Sequence, residues 1–83
     1  MVEGIHLDEV ALSRSEIDVL LLEAMDKTPD AMAHALGISV STVYGYRSRL
    51  MHKLEVRANP ALRRWARRYY AELERRARTR GTP

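Results

Sequence analysis

The run Thr28-Pro29-Asp30-Ala31-Met32-Ala33-His34-Ala35-Leu36-Gly37-Ile38-Ser39 fixes two helix boundaries and the junction between them. Thr28 offers a capping hydroxyl, and Pro29 suits the first helical position, where a missing N–H costs nothing. Gly37 takes the left-handed conformation that stops a helix carrying Met32, Ala33 and Leu36, and Ser39 caps the helix that restarts. With stop and restart so close, only a tight turn fits between them. The second of the two helices is then held at a set angle to the first.

Two short helices across a turn glycine have the spacing of a helix-turn-helix. From Ser39 the third helix turns inward Val43, Arg47 (by its aliphatic stem), Leu50 and Leu54. Ser41, Tyr44, Gly45, Ser48 and His52 are left on its outward face. Upstream, Ser13 with Glu16 forms a capping box for a first helix over about residues 14–25, with Ile17, Leu20, Leu21 and Ala24 at helical spacing. Downstream, Asn59-Pro60 repeats the cap-plus-proline signal and predicts one long fourth helix to about Arg78. Its inward residues are Leu62, Trp65, Ala66, Tyr69 and Leu73. Nothing reads as a strand, so the fold class is all-α: four helices with a long C-terminal one. Residues 1–11 are an arm or short helix, 12–66 the helix-turn-helix domain, and 67–83 the extension and frayed tail.

At 83 residues there is room for one modest core. The absence of cysteine removes disulfides, thiolate metal sites and thiol nucleophiles. His6, His34 and His52 are scattered without carboxylates at ligand spacing, and no phosphate loop follows a strand. The expectation is no catalysis, no metal and no cofactor. The apolar run Val19-Leu20-Leu21-Leu22 is too short for a bilayer, so no membrane contact is expected and a cytoplasmic, nucleoid-associated protein is. Charge is divided along the chain: residues 1–30 hold eight acids against Arg14 and Lys27, minus six, and the rest carries plus nine, for +3 in all. Such asymmetry suits a polyanion binder that approaches in one orientation. No acid lies between Asp30 and Glu55, so the outward face of the third helix does not repel phosphates.

LSRSEIDVL from Leu12, AxxLGIS from Ala33 to Ser39, STV from Ser41 to Val43 and RxxLxxKLxV from Arg47 to Val56 together resemble the DNA-binding domain of the LuxR/GerE family of bacterial transcription regulators. The resemblance covers Leu12 to Ala66. It implies a four-helix domain with the third helix in the major groove of double-stranded DNA and dimerisation through the fourth. Where the family usually has lysine, a small or aliphatic residue and histidine, this chain has Tyr44, Gly45 and Tyr46; where it has glycine before the second helix, this chain has Asp26. Interior glycine costs a helix about 0.5–1 kcal/mol, so Gly45 needs a reason. One is close approach of the helix backbone to the groove floor. Another is room for a neighbouring aromatic, with Tyr46 packed on the scaffold.

Ser41, Thr42, Tyr44, Gly45 and Ser48 are accordingly the base-facing candidates, and Thr28, Arg47, Arg49, Lys53 and Arg57 the phosphate contacts. Tyr69, Tyr70, Leu73 and Ala77 are the dimer candidates, the competing use of that helix being packing against the first helix of its own chain. The expected role is a small standalone regulator, since Met1 opens the chain with no sensing domain before the helix-turn-helix. Two alternatives stand beside it. One is a partner of RNA polymerase or a sigma factor, using the acidic residues 3–30. The other is a phage DNA-packaging or recombination accessory.

Overall fold

The computed structural model describes residues 3–80, with only the backbone of Arg80. The tail residues 81–83 expected to fray lie outside the described residues, as do Met1 and Val2. A short 3₁₀ turn, Leu7–Glu9, precedes five α-helices: α1 (Arg14–Ala24), α2 (Pro29–Leu36), α3 (Val40–Leu54), α4 (Asn59–Arg68) and α5 (Tyr70–Arg80). The all-α class stands, with one helix more than the sequence suggested.

Local chemistry accounts for the boundaries. Both halves of the Ser13 capping box form, Oγ accepting from the Glu16 N–H at 3.1 Å and Glu16 Oε1 from the Ser13 N–H at 2.8 Å. Thr28 and Ser39 cap α2 and α3 by accepting from the Ala31 and Thr42 N–H groups. Gly37 ends α2 at φ 67°, and the Ile38 N–H closes back on the Ala33 carbonyl. Asp26 and Glu55 end α1 and α3 in the same left-handed conformation, at φ 61° and 60°. Without glycine each carries strain, of about 1–2 kcal/mol. Asn59 proves to be the first helical residue, with Ala58 at the N-cap and no side-chain capping bond.

The expected single fourth helix is broken at Tyr69, which sits at φ −104°, ψ 17°. No proline or glycine is responsible. The Tyr69 ring packs on Trp65 at 4.6 Å between centroids and meets His6 edge-on, and the chain bends there so that α5 lies along α1. The gain is burial of Leu73, which is completely covered. One core runs through Ile17, Val19 and Leu20 of α1, Met32 of α2, Val43, Leu50 and Leu54 of α3, Leu62, Trp65 and Ala66 of α4, and Leu73.

The N-terminal arm is part of this core. Leu7 is buried, the Ile5 N–H donates to the Leu54 carbonyl at 2.9 Å, and Trp65 Nε1 donates to the Ile5 carbonyl at 2.8 Å. Gly4, at φ +89°, presses so close that a Cβ would lie 2.8 Å from Trp65 Cδ1 and 2.9 Å from the Leu54 carbonyl oxygen. Only glycine fits both the conformation and the space.

Candidate nucleic-acid interface

α3 is amphipathic by construction. Val43, Leu50 and Leu54 are fully buried, so Ser41, Thr42, Tyr44, Gly45, Ser48 and Arg49 stand outward. The Ser39 hydroxyl that caps the helix also pairs with Thr42 Oγ1 at 2.8 Å, which orients the Thr42 hydroxyl at the helix start. Tyr44 is 54% exposed, its ring standing in solvent on this face. A Cβ built on Gly45 meets nothing within 4 Å. No residue beyond its two chain neighbours and its own helix backbone therefore presses on this position. Tyr46 does pack on the scaffold: half-buried, it lines a small recess with Ser15, Asp18, Leu36 and Ile38. Arg49 lies over its ring at 5.3 Å, held beside the outward face with its charge exposed.

The five phosphate candidates divide. Thr28, Arg49 and Arg57 are exposed. Arg47 is not: its guanidinium is buried against the fully buried Glu23 of α1, Nε and Nη2 donating to the two carboxylate oxygens. Here the sequence expectation is corrected, because a guanidinium buried inside the core against Glu23 does not reach the surface where DNA would lie. Lys53 is half-committed, its Nζ donating to Glu16 Oε1 at 2.8 Å. Burial pushes the Glu16 carboxyl up, but hydrogen bonds from Lys53 and Ser13 and the Lys53 charge outweigh it, and the group sits below its ordinary value.

Glu23, and the second role of the capping residue Glu16 as partner of Lys53, are what sequence reasoning missed. Both clamp α3 to α1. A signal was present for one of them: Glu23 interrupts the apolar stripe of α1 as Arg47 interrupts that of α3, and opposite charges on two inward stripes have reason to meet. The dimer candidates also change place. Leu73 belongs to the core of its own chain, and Tyr69 is occupied by Trp65 and His6. Tyr70 and Ala77 are half-buried. Packing onto the first helix accounts for Leu73, while Tyr70 and Ala77 are only partly covered by their own chain.

The charge asymmetry along the sequence is largely cancelled in space. Glu3 pairs with Arg64, Asp8 with Arg76, Asp26 with Arg63, Glu16 with Lys53 and Glu23 with Arg47. Among the described residues no group of His, Asp and Glu could hold a metal ion, and no helix is long and apolar enough to cross a membrane.

In comparison with known families, the model for bacterial regulatory proteins of the luxR family (GerE) aligns with residues 10–66. No curated protein and no solved structure gives a significant match. The aligned span ends inside α4, so the docked arm before Val10 and the whole of α5 lie outside it.

Proposed function

The chain belongs to the luxR family of bacterial regulatory proteins, which act on transcription by binding DNA, and from that premise we propose that its α3 reads base edges in the major groove. The observation that carries this reading is the outward face of α3: free of acids, rich in hydroxyl residues, with no side chain at Gly45 and open space beside it. Ser41, Thr42, Tyr44 and Ser48 supply hydroxyls for base edges or nearby phosphates, and Gly45 lets the helix backbone approach. Arg49 and Arg57, with the capped start of α2 at Thr28, hold the phosphate backbone on either side. Arg47, Lys53, Glu16 and Glu23 hold the helix at its angle.

Selection of binding sites from random double-stranded DNA at about 0.15 M salt tests this, since nonspecific attraction to phosphates is then weakened. An enriched motif is the expected result, and its absence overturns the reading. An inverted repeat reports two copies side by side; a single half-site reports one. Contact with RNA polymerase through the acidic residues is less well supported, because most of those acids are already paired within the chain and mainly Glu9 and Asp30 stay outside such pairs.

A further inference from the structure

Met25 and Tyr44 are the large apolar side chains of the described residues that stand more than half exposed, and of the two only Tyr44 lies on α3. It sits one turn into the helix, in the N-terminal half that a recognition helix lays against base edges. Ser41 and Ser48 are its exposed neighbours at i−3 and i+4, and Gly45 beside it has no side chain and open space around it. The ring therefore stands as a wall beside a floor of small residues. The other long side chains exposed on this helix lie away from it. Arg49 is held over the Tyr46 ring at 5.3 Å, and His52 follows two turns later, about 12 Å along the axis. Among the described residues neither the ring nor the hydroxyl of Tyr44 has an aromatic, cationic or hydrogen-bonding partner.

We infer that Tyr44 is a specificity residue for thymine, its ring packing against the C5-methyl group of one thymine in each half-site. This rests on the DNA-binding reading of α3 and adds to it the identity of a base. Three considerations single out the methyl group. It is the one methyl that a major groove presents, the rest of the base-pair code there being hydrogen-bond donors and acceptors. A ring laid against those polar groups strips their water without replacing the bonds, whereas against a methyl group it displaces only water that apolar surfaces shed readily. And the floor of Ser41, Gly45 and Ser48 lets a base edge come up beside the ring, where longer side chains would hold it away. Tyrosine suits the task because fixing its ring costs little conformational freedom.

Deletion of that methyl group tests the inference. In the duplex obtained by site selection, each thymine is replaced in turn by deoxyuridine, which pairs identically and lacks only the methyl, and Kd is measured by fluorescence anisotropy for the wild type, Tyr44→Phe and Tyr44→Ala. One thymine in each half-site is expected to matter, its replacement weakening the wild type by about fourfold, the worth of one buried methyl group. Tyr44→Phe should keep this discrimination, and Tyr44→Ala, a change at an exposed helical position checked by circular dichroism, should lose it, binding both duplexes equally. An effect of deoxyuridine that is as large in Tyr44→Ala as in the wild type overturns the inference, because another side chain or the shape of the DNA then senses the methyl. So does a Tyr44→Phe protein weakened alike on every sequence with no response to deoxyuridine, which makes the residue a phosphate contact through its hydroxyl. A selected site in which no thymine is sensitive overturns the role of Tyr44 while the reading of α3 stands; a selection that enriches no site overturns both.

Discussion

Gly45→Ala sets folding against function at one position. The glycine lies well inside α3, has no positive φ and leaves an added Cβ with no neighbour within 4 Å. Nothing in the folded chain resists the methyl group, so the full difference in helix propensity, about 0.5–1 kcal/mol, should appear as added stability. For a domain of this size that is roughly 2–8 °C in Tm. On DNA the sign reverses. A methyl group placed where the backbone approaches the groove must be accommodated by bases or phosphates, at a cost of about 1–3 kcal/mol, or roughly 5- to 150-fold in Kd for the selected site.

Urea denaturation and fluorescence anisotropy on the selected and a scrambled duplex read the two effects separately. The expected pattern is a raised urea midpoint at unchanged slope, with weaker binding or a changed base preference confined to the selected duplex. A destabilised Gly45→Ala protein would mean that the open surroundings of residue 45 are misread. A stabilised one with unaltered affinity and preference would remove the glycine from the DNA contact and leave its presence in the helix without a physical cause.

Arg49→Ala should weaken binding to selected and scrambled duplexes alike and lower the slope of log Kd against log salt by about one; a changed sequence preference at constant slope would make Arg49 a base reader instead. Glu23→Gln strands a buried guanidinium and should cost about 3–5 kcal/mol in urea denaturation, whereas Glu23→Leu combined with Arg47→Met should return stability to wild type or above it. Gly4→Ala, strained at φ +89° and overlapping Trp65 and the Leu54 carbonyl, should release the arm, seen as a red-shifted Trp65 emission and faster proteolysis ahead of Leu12. Glu16, held below its ordinary value, contributes stability that is fully present above about pH 4.5 and lost as pH falls through its lowered folded value; Lys53→Gln should therefore be less stable than wild type at pH 7, with the gap closing below pH 4.5.

What the sequence made legible was local. Ser13, Thr28, Gly37 and Ser39 each act on a backbone group within a few residues, so their types and spacing determine helix ends before any packing is known. Asp26 and Glu55 stop helices equally well but give no such signal, because neither residue type favours the left-handed conformation as glycine does. The break at Tyr69 was invisible for a different reason. Propensity carries the helix straight through to Arg78, and only the presence of α1 beside it makes bending, with Leu73 buried, the better solution. Gly4 is the reverse case: an ordinary-looking glycine near the terminus whose meaning depends on Trp65, far along the chain.

Charge shows most clearly how a sequence-level pattern changes meaning on folding. Eight acids in residues 1–30 and the basic remainder suggested a molecule with one repulsive and one attractive end. Folding places the two halves against each other, and the acids of the arm and α1 neutralise Arg47, Lys53, Arg63, Arg64 and Arg76. A polyanion then meets not the +9 of the basic segment but the cations outside those pairs, among them Arg49 and Arg57 beside α3 and Arg67 and Arg68 on α4. In the proposed complex, orientation on DNA follows from where those charges lie. The two buried carboxylates act one step earlier, by fixing the angle at which α3 presents its outward face.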